Sequence, residues 1–220
     1  MFDFLVSALT FASLYGLMAL GLNLQAGYGG LLNFGHIAFA GLGAYGTGIA
    51  VQAGYSPWLG MAFGVLLAMG LGGCVARLGR KLASDYWGIA TLAIAEILRV
   101  VATNEGWLTG GAQGIGAIPT LFDGVAFLLM MLALLGIATL LCQRLADGRF
   151  GRALRLMREE PQLAACMGYD LTSLKSRAIM ASAALTAIAG SLYAHFMSYV
   201  GPDYLLASET FLLWTMLMIG

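Results

Sequence analysis

The sequence is poor in charge and in cysteine. Asp, Glu, Lys and Arg make up 10% of its 220 residues, against about 25% in a soluble domain. Its 11 basic and 11 acidic residues cancel, so nothing indicates a surface for nucleic acid. Three cysteines (Cys74, Cys142, Cys166) form no CxxC pair, which predicts neither a disulfide framework nor a metal site. No GxxxxGK(S/T) motif occurs, so any ATP used is hydrolysed by another chain, and no cofactor is expected to bind here directly.

Apolar residues, in contrast, are unusually frequent. They make up 60% of the chain, and they gather in runs of about 20 residues, the length that crosses a bilayer. One of these runs, 86–103, also contains the charged residues Glu96 and Arg99. A further, shorter run begins at 209 and stops at Gly220. The six longer runs are 1–22, 31–53, 57–76, 86–103, 123–142 and 178–197. We therefore predict an all-α integral membrane protein, a polytopic helical bundle with about six complete transmembrane helices and a truncated seventh.

Lysine and arginine alternate between the predicted loops. The 77–85 and 143–177 connections are basic, whereas 53–57, 104–122 and 198–208 contain neither residue. Basic loops stay in the cytoplasm, so 77–85 and 143–177 are predicted to be cytoplasmic and the N-terminus external. An external start without a basic flank, together with the shortened last run, predicts that the chain is the middle of a larger membrane protein, incomplete at both ends.

Small residues recur every fourth position along 57–76, at Gly60, Gly64, Ala68, Gly72 and Ala76. Such a stripe lets helices approach closely where no hydrophobic effect drives them together. Packing within the chain and contact with another subunit are both open at this point.

Residues 27–45, GYGGLLNFGHIAFAGLGAY, combine apolar side chains with many glycines. This pattern fits a helix that is broken or turns back at membrane depth, which survives only inside protein or beside a watery cavity. Such breaks mark the substrate region in several transporter folds, so Asn33, His36 and Tyr45 are candidates for a substrate pathway. Alternatively, the glycines only permit tight packing and His36 bonds a neighbouring carbonyl.

Glu96 and Arg99 are the charged residues within the 86–103 run. Their i, i+3 spacing places them on one helix face, where each can neutralise the other. Charges at membrane depth are functional candidates by default. A structural ion pair and a role in the substrate pathway both remain open.

The 143–177 connection is longer and more basic than a topological loop requires. Arg152, Arg155 and Glu159 recur at helical spacing, Pro161 is expected to start a second short helix, and Gly168 is expected to end it. This pattern predicts a docking surface for a cytoplasmic partner. A helix lying on anionic lipid is the alternative.

Four stretches together identify a family resemblance: GLNLQAGYGGLLNFGHIAFAGLGAY, DYWGIATLAIAEILR, LTGGAQGIGAIP and GRALRLMREEPQLAACMGYDLTSLKSRAIMASAALTAIAGSLYAH. The chain resembles the M-type (LivM-like) permease subunits of ATP-binding-cassette importers for branched-chain amino acids. The resemblance implies that residues 1–220 are a single permease transmembrane domain, incomplete at both ends, in a multi-pass protein of the bacterial inner membrane. It also implies three kinds of partner besides the lipid bilayer: a second (H-type) permease, two cytoplasmic ATPase subunits and a periplasmic substrate-binding protein.

By the same resemblance, residues 152–168, here called the coupling segment, would sit in a cleft of the ATPase. Pro161 and Cys166 depart from the usual family pattern, which leaves the helix geometry open. The predicted contact residues are Arg152, Arg155, Arg158, Glu159, Glu160, Ala164, Ala165 and Gly168. Urea or short amides are alternative substrates, since closely similar permeases carry them. A secondary transporter or channel without an ATPase is a further alternative, and a membrane enzyme is a third.

Overall fold

The computed structural model describes residues 1–79, Leu82 and 84–219. The basic residues Arg80 and Lys81, on which the predicted orientation partly rests, lie outside that part. Ten α-helices occur within it, numbered in chain order. They are α1 (Phe2–Asn23), α2 (Ile37–Gln52), α3 (Pro57–Leu78), α4 (Ser84–Asn104), α5 (Gly106–Thr109), α6 (Gly124–Asp147), α7 (Arg149–Glu159), α8 (Pro161–Cys166), α9 (Leu171–Met197) and α10 (Ala207–Ile219).

Five helices of the described part are long and apolar enough to cross a membrane: α1 with its extension to Tyr28, and α3, α4, α6 and α9. The all-α membrane fold is therefore confirmed: five described helices have the length of a span, and α2 and α10 are shorter apolar helices. The predicted span at 31–53 is wrong in its length, because only the 16 residues of α2 are helical there. Hydropathy measures how apolar a segment is and does not detect where its backbone leaves the helix.

The backbone leaves the helix after α1. A π-helical turn, Leu24–Tyr28, widens the end of α1, and residues 29–36, here called the helix break, follow without a regular helix before α2 begins. Gly30 has φ +65°, a left-handed conformation that glycine adopts without steric cost. A Cβ at this position would also lie 2.7 Å from Arg158 Cγ, so this turn requires glycine.

The core of the bundle is the packing of α2, α3 and α9. A Cβ on Gly46 of α2 would lie 2.6 Å from Gly64 Cα, and one on Gly190 of α9 would lie 2.0 Å from Ala40 O. A Cβ on Gly72 of α3 would be in tight contact with α9, 3.2 Å from Ile179 Cγ2 and 3.4 Å from Ala183 Cβ. The stripe of small residues on α3 is therefore used for packing within the chain, because larger side chains would separate these helices.

The two ends of the bundle differ in charge. The basic end carries Arg77 at the end of α3 and the helices α7 and α8. At the opposite end, Ile115–Gly116 (β1) and Tyr199–Val200 (β2) pair in antiparallel fashion, Ile115 opposite Val200. His195 is buried there and its Nδ1 lies 2.7 Å from Pro119 O. The small sheet and this bond tie the connection before α6 to the end of α9.

Candidate functional site

The backbone of the helix break and of the first residue of α2 is bonded by side chains from two other helices. Phe34 N–H donates to Thr91 Oγ1 of α4 at 3.1 Å, and Ile37 N–H donates to Thr210 Oγ1 of α10 at 3.1 Å. Trp214 Nε1–H of α10 donates to Asn33 O at 3.0 Å. These bonds supply the partners that an irregular backbone at membrane depth requires.

Asn33 and His36 meet in a buried polar network that Gln25, from the π-helical turn, joins together. Asn33 Nδ2 donates to Gln25 Oε1 at 3.3 Å, and Gln25 Nε2 then lies 2.8 Å from His36 Nδ1 and 3.0 Å from Ser182 Oγ. The other side of the His36 ring, Nε2, lies 2.8 Å from Thr186 Oγ1 and 3.2 Å from Met18 O. The network therefore joins α1, the helix break and α9.

The direction of these hydrogen bonds follows from one fixed donor. Gly35 N–H can only donate, and it donates to Asn33 Oδ1 at 2.9 Å, so Asn33 presents its NH₂ group to Gln25. The amide of Gln25 then presents its own NH₂ group to His36, whose Nδ1 must accept. The imidazole is therefore neutral with its proton on Nε2, and that proton is donated to Thr186 Oγ1 or Met18 O.

The side chains of Asn33 and His36 are shielded from solvent in this network. Asn33 is 2% exposed and His36 is fully buried, and each ring nitrogen of His36 already has a partner. In this conformation they hold the helix break rather than meet a solute. The prediction that they line a pathway remains a prediction, since another conformation could expose them.

Tyr45 lies apart from that network, beside an apolar cavity of about 170 Å³. Its hydroxyl is buried and has no hydrogen-bond partner among the described residues. Thr109, a polar residue on the same wall, already donates to backbone carbonyls of the α4–α5 region. The cavity lies between α2, α3, α4 and α5, and its other lining residues include Ala38, Gly41, Ile49, Leu98, Ala102 and Leu205.

Glu96 and Arg99 form an ion pair on α4. Arg99 Nε lies 3.0 Å from each carboxylate oxygen, as their spacing predicts, but no described residue of another helix forms a salt bridge with either of them. Glu96 is about 12 Å from the Asn104 end of α4, at ~1.5 Å per residue. The Glu96 side chain is 49% exposed and the Arg99 side chain 29%. A charge that faces lipid at such a depth costs at least ~2.5–3.5 kcal/mol.

The coupling segment has the two helices that the sequence predicts, with Pro161 at the start of α8. Gly168, after its end, has φ +85°. The apolar face of α7, with Leu154 and Met157, packs against α9 and Tyr28. Asp170 caps α9 by accepting from Thr172 N–H at 3.0 Å. Hydrogen bonds from the Ser173 hydroxyl and the Ser173 amide, and then from the Thr172 amide, hold the pKa of the Asp170 carboxyl below its ordinary value.

Two arginines of α7 bind the turn that precedes the helix break. Arg158 Nη1 donates to Gly27 O, and the Arg155 guanidinium lies over the Tyr28 ring, 5.2 Å from its centroid. Arg155 also donates to Ala146 O at the end of α6, at 3.0 Å. The coupling segment is therefore attached to the segment that carries Gln25.

The remaining predicted contact residues divide by exposure. Ala164 is fully buried, so it anchors α8 and cannot itself touch a partner in this conformation. Arg152 bonds only the nearby Asp147 carbonyl, at 2.7 Å, and it is exposed. The other exposed members are Glu159, Glu160, Ala165 and Gly168.

Comparison with known proteins extends this description. Residues 4–220 match the protein family described as "Branched-chain amino acid transport system / permease component". The chain belongs to this family. Together with the apolar helices, membership makes it a multi-pass membrane protein of the transport-permease type. No solved structure matches the chain significantly.

Curated relatives fall into two named types. The chain is 28% identical to the high-affinity branched-chain amino acid transport system permease protein LivM of Salmonella typhimurium, over 98% of this chain and 58% of that protein. It is 27% identical to the probable LivM of Methanocaldococcus jannaschii, over 99% of this chain and 75% of that protein. It is 24% identical to LivH of S. typhimurium, over 89% and 71%. The chain thus spans just over half the length of the Salmonella LivM.

Sequence reasoning missed several residues of the buried network. Gln25, Ser182 and Thr186 are polar residues inside apolar helices, and that contrast was the available signal. The sequence alone does not show that these residues are in contact, because Gln25 and Ser182 are 157 residues apart in the chain.

Proposed function

We propose that the chain is the M-type permease subunit of an importer that carries branched-chain amino acids across the bacterial inner membrane. In this proposal a second (H-type) permease completes the membrane part, two ATPase subunits supply the energy, and a periplasmic binding protein delivers the substrate. The named functions of the LivM and LivH relatives support this assignment.

The attachment of α7 to the π-helical turn is the observation that carries the proposal. A subunit driven by a separate ATPase needs a surface at its cytoplasmic end that the ATPase can bind. It also needs contacts that connect this surface to the membrane-spanning part. The exposed coupling segment offers the surface, and the bonds from Arg155 and Arg158 to Tyr28 and Gly27 offer the connection. A partner that shifts α7 would therefore shift the base of the helix break.

The cavity beside Tyr45 supports the choice of substrate. Its walls are aliphatic apart from Tyr45 and Thr109. Its volume is similar to that of engineered apolar cavities of about 150 Å³ that accept benzene, which is larger than the side chain of leucine, isoleucine or valine. Urea has no apolar group to place in such a cavity, whereas a branched-chain amino acid would place its side chain there and keep its ammonium and carboxylate groups outside.

The test is uptake by cells that express the chain with its H-type, ATPase and binding-protein partners and lack other leucine importers. We expect ATP-dependent uptake of radiolabelled leucine and valine but not of urea. Uptake that persists after the ATPases are inactivated by mutation would contradict the proposal, and so would uptake of urea alone.

A double variant, Arg155→Ala with Arg158→Ala, tests the connection separately. We expect leucine uptake to be lost while the complex still assembles and hydrolyses ATP, because the other exposed residues of the coupling segment still contact the ATPase and the attachment to Tyr28 and Gly27 is removed. Arg152→Ala is the matched comparison: it also removes an exposed, predicted ATPase contact, but Arg152 bonds the Asp147 carbonyl and not the π-helical turn, so uptake is expected to persist. Equal uptake by the double variant and the control would show that these contacts transmit nothing.

A further inference from the structure

One face of α4 is exposed along its whole described length. Its residues recur at steps of three and four, so they form one continuous stripe on a helix. The ion pair of Glu96 and Arg99 lies in the middle of this stripe, between large apolar side chains. The exposed members, here called the α4 face, are Tyr86, Ile89, Ala93, Glu96, Ile97, Val100 and Asn104.

Helix α6 is as exposed as α4 but differs in chemistry. In each of the two spans 28% of the residues are buried. The first 19 residues of α6, 124–142, contain no charged residue, and its outward side chains include Leu129, Leu132 and Ile137. This surface suits contact with lipid tails. The α4 face presents a carboxylate and a guanidinium at a depth where lipid offers no hydrogen bonds.

We propose that the α4 face is where this chain packs against the second, homologous permease subunit, while α6 faces lipid. An ion pair that is already neutral adds no net charge to a contact, and its unused carboxylate and guanidinium positions can bond polar groups of a neighbouring helix. Ala93, one turn before Ile97, allows that helix to approach closely.

The choice of occupant rests on the proposed function. The chain is similar to both LivM and LivH of one named transport system in S. typhimurium, so the two types resemble each other as well. Two subunits of one fold commonly associate about a two-fold or pseudo-two-fold axis, using corresponding surfaces. The cavity beside Tyr45 borders the same helix through Leu98 and Ala102, and it would then lie next to the subunit contact.

The experiment places a photo-crosslinking amino acid, benzoylphenylalanine, at Ile97 of the chain co-expressed with its H-type partner. Leu129 of α6 is the matched control, because both side chains are 61% exposed and both lie within about two turns of the same end of the bundle. After irradiation of native membranes, we expect a product with the summed mass of the two permeases from position 97 and none from position 129.

The opposite pattern overturns the proposal, as do adducts with lipid alone from position 97, a cross-link from position 97 to another part of the same polypeptide, or a product with twice the mass of this chain. A second probe at Ile89, which is 63% exposed on the same face, guards against a folding defect caused by one substitution. Co-purification of the permeases and leucine uptake are measured in parallel. If co-purification and uptake persist while position 129 cross-links the partner, the assignment of the α4 face is wrong and the proposed function stands. If the two permeases never associate, the assignment and the proposed function both fail.

Discussion

Replacement of Gln25 by leucine tests whether the buried network holds the helix break in place. The Gln25 side chain donates to His36 Nδ1 and Ser182 Oγ and accepts from Asn33 Nδ2. Leucine is of similar size and is apolar, so it removes all three bonds without opening a large cavity. Ser182 can turn its hydroxyl to a carbonyl of its own helix, but His36 Nδ1 and Asn33 Nδ2 are left without a partner.

The size of the effect follows from those two groups. A buried polar group without a partner costs about 1–3 kcal/mol, so the pair gives ~2–6 kcal/mol if neither relaxes. Hydrogen bonds between membrane helices average only ~0.6 kcal/mol when measured by double-mutant cycles, because alternative partners exist. We therefore expect Gln25→Leu to lower the free energy of unfolding by about 2–3 kcal/mol, near the low end of the range for unsatisfied groups.

The assay is reversible unfolding in mixed micelles, followed by tryptophan fluorescence. Thr47→Val is the control, since Thr47 is fully buried but donates only to Gly43 O of its own helix, at 3.0 Å, and its loss should cost no more than about 0.6 kcal/mol. Hydrogen exchange of the break should also quicken in Gln25→Leu. Equal destabilisation by the two variants would refute the reasoning, because the network would then contribute no more than a hydroxyl within one helix.

Three further predictions concern other contacts. Gly46→Ala should destabilise the bundle by about 1–3 kcal/mol through overpacking against α3, whereas Gly70→Ala, which has open space around it, should not; equal unfolding midpoints would contradict the packing. Tyr15→Phe removes a 2.6 Å hydrogen bond to Glu209, so hydrogen exchange in α10 should quicken by about tenfold, a loss of ~1.5 kcal/mol. The depressed pKa of Asp170 means that its cap stabilises the start of α9 at neutral pH and is lost as pH falls through that depressed value, so protection of the first α9 amides should fall in acid. Asp170→Asn should keep these amides protected in acid, since asparagine also caps helices.

Hydropathy and local signals predicted much of the fold. Long apolar runs correspond to α1, α3, α4, α6 and α9, because a helix satisfies its own backbone and only its length and composition need to suit a membrane. The bend at Pro161 and the left-handed Gly168 were also predicted, since proline cannot continue α7 and glycine adopts positive φ without strain. These features depend on residues close together in the chain.

The interior of the candidate site could not be predicted in the same way. The glycine-rich stretch indicated a break, but the groups that bond its backbone come from Thr91 and Trp214, and Thr210 bonds the first residue of α2; all three lie far along the chain. Asn33 and His36 were candidates for a pathway because helix breaks mark the substrate region in several transporter folds, with glycine packing and a bond from His36 to a carbonyl as the alternative. The structure gives them a holding role in this conformation, since their partners lie on neighbouring helices that periodicity alone does not bring together.

The contacts of the helix break also indicate where a movement of α7 would be felt. Arg158 holds its base, Thr91 of α4 bonds Phe34, and Thr210 of α10 bonds Ile37. These bonds lie in a medium of low polarity, where losing one without a replacement is costly. A small shift of the π-helical turn before the break is therefore expected to move the whole break together with α4, rather than to stretch one bond. Packed elements of this kind move between discrete arrangements. Under the proposed function, a push from the ATPase would then reach the α4 face and the neighbouring permease as well as the cavity beside Tyr45, with the His36 network moving as part of the rigid unit.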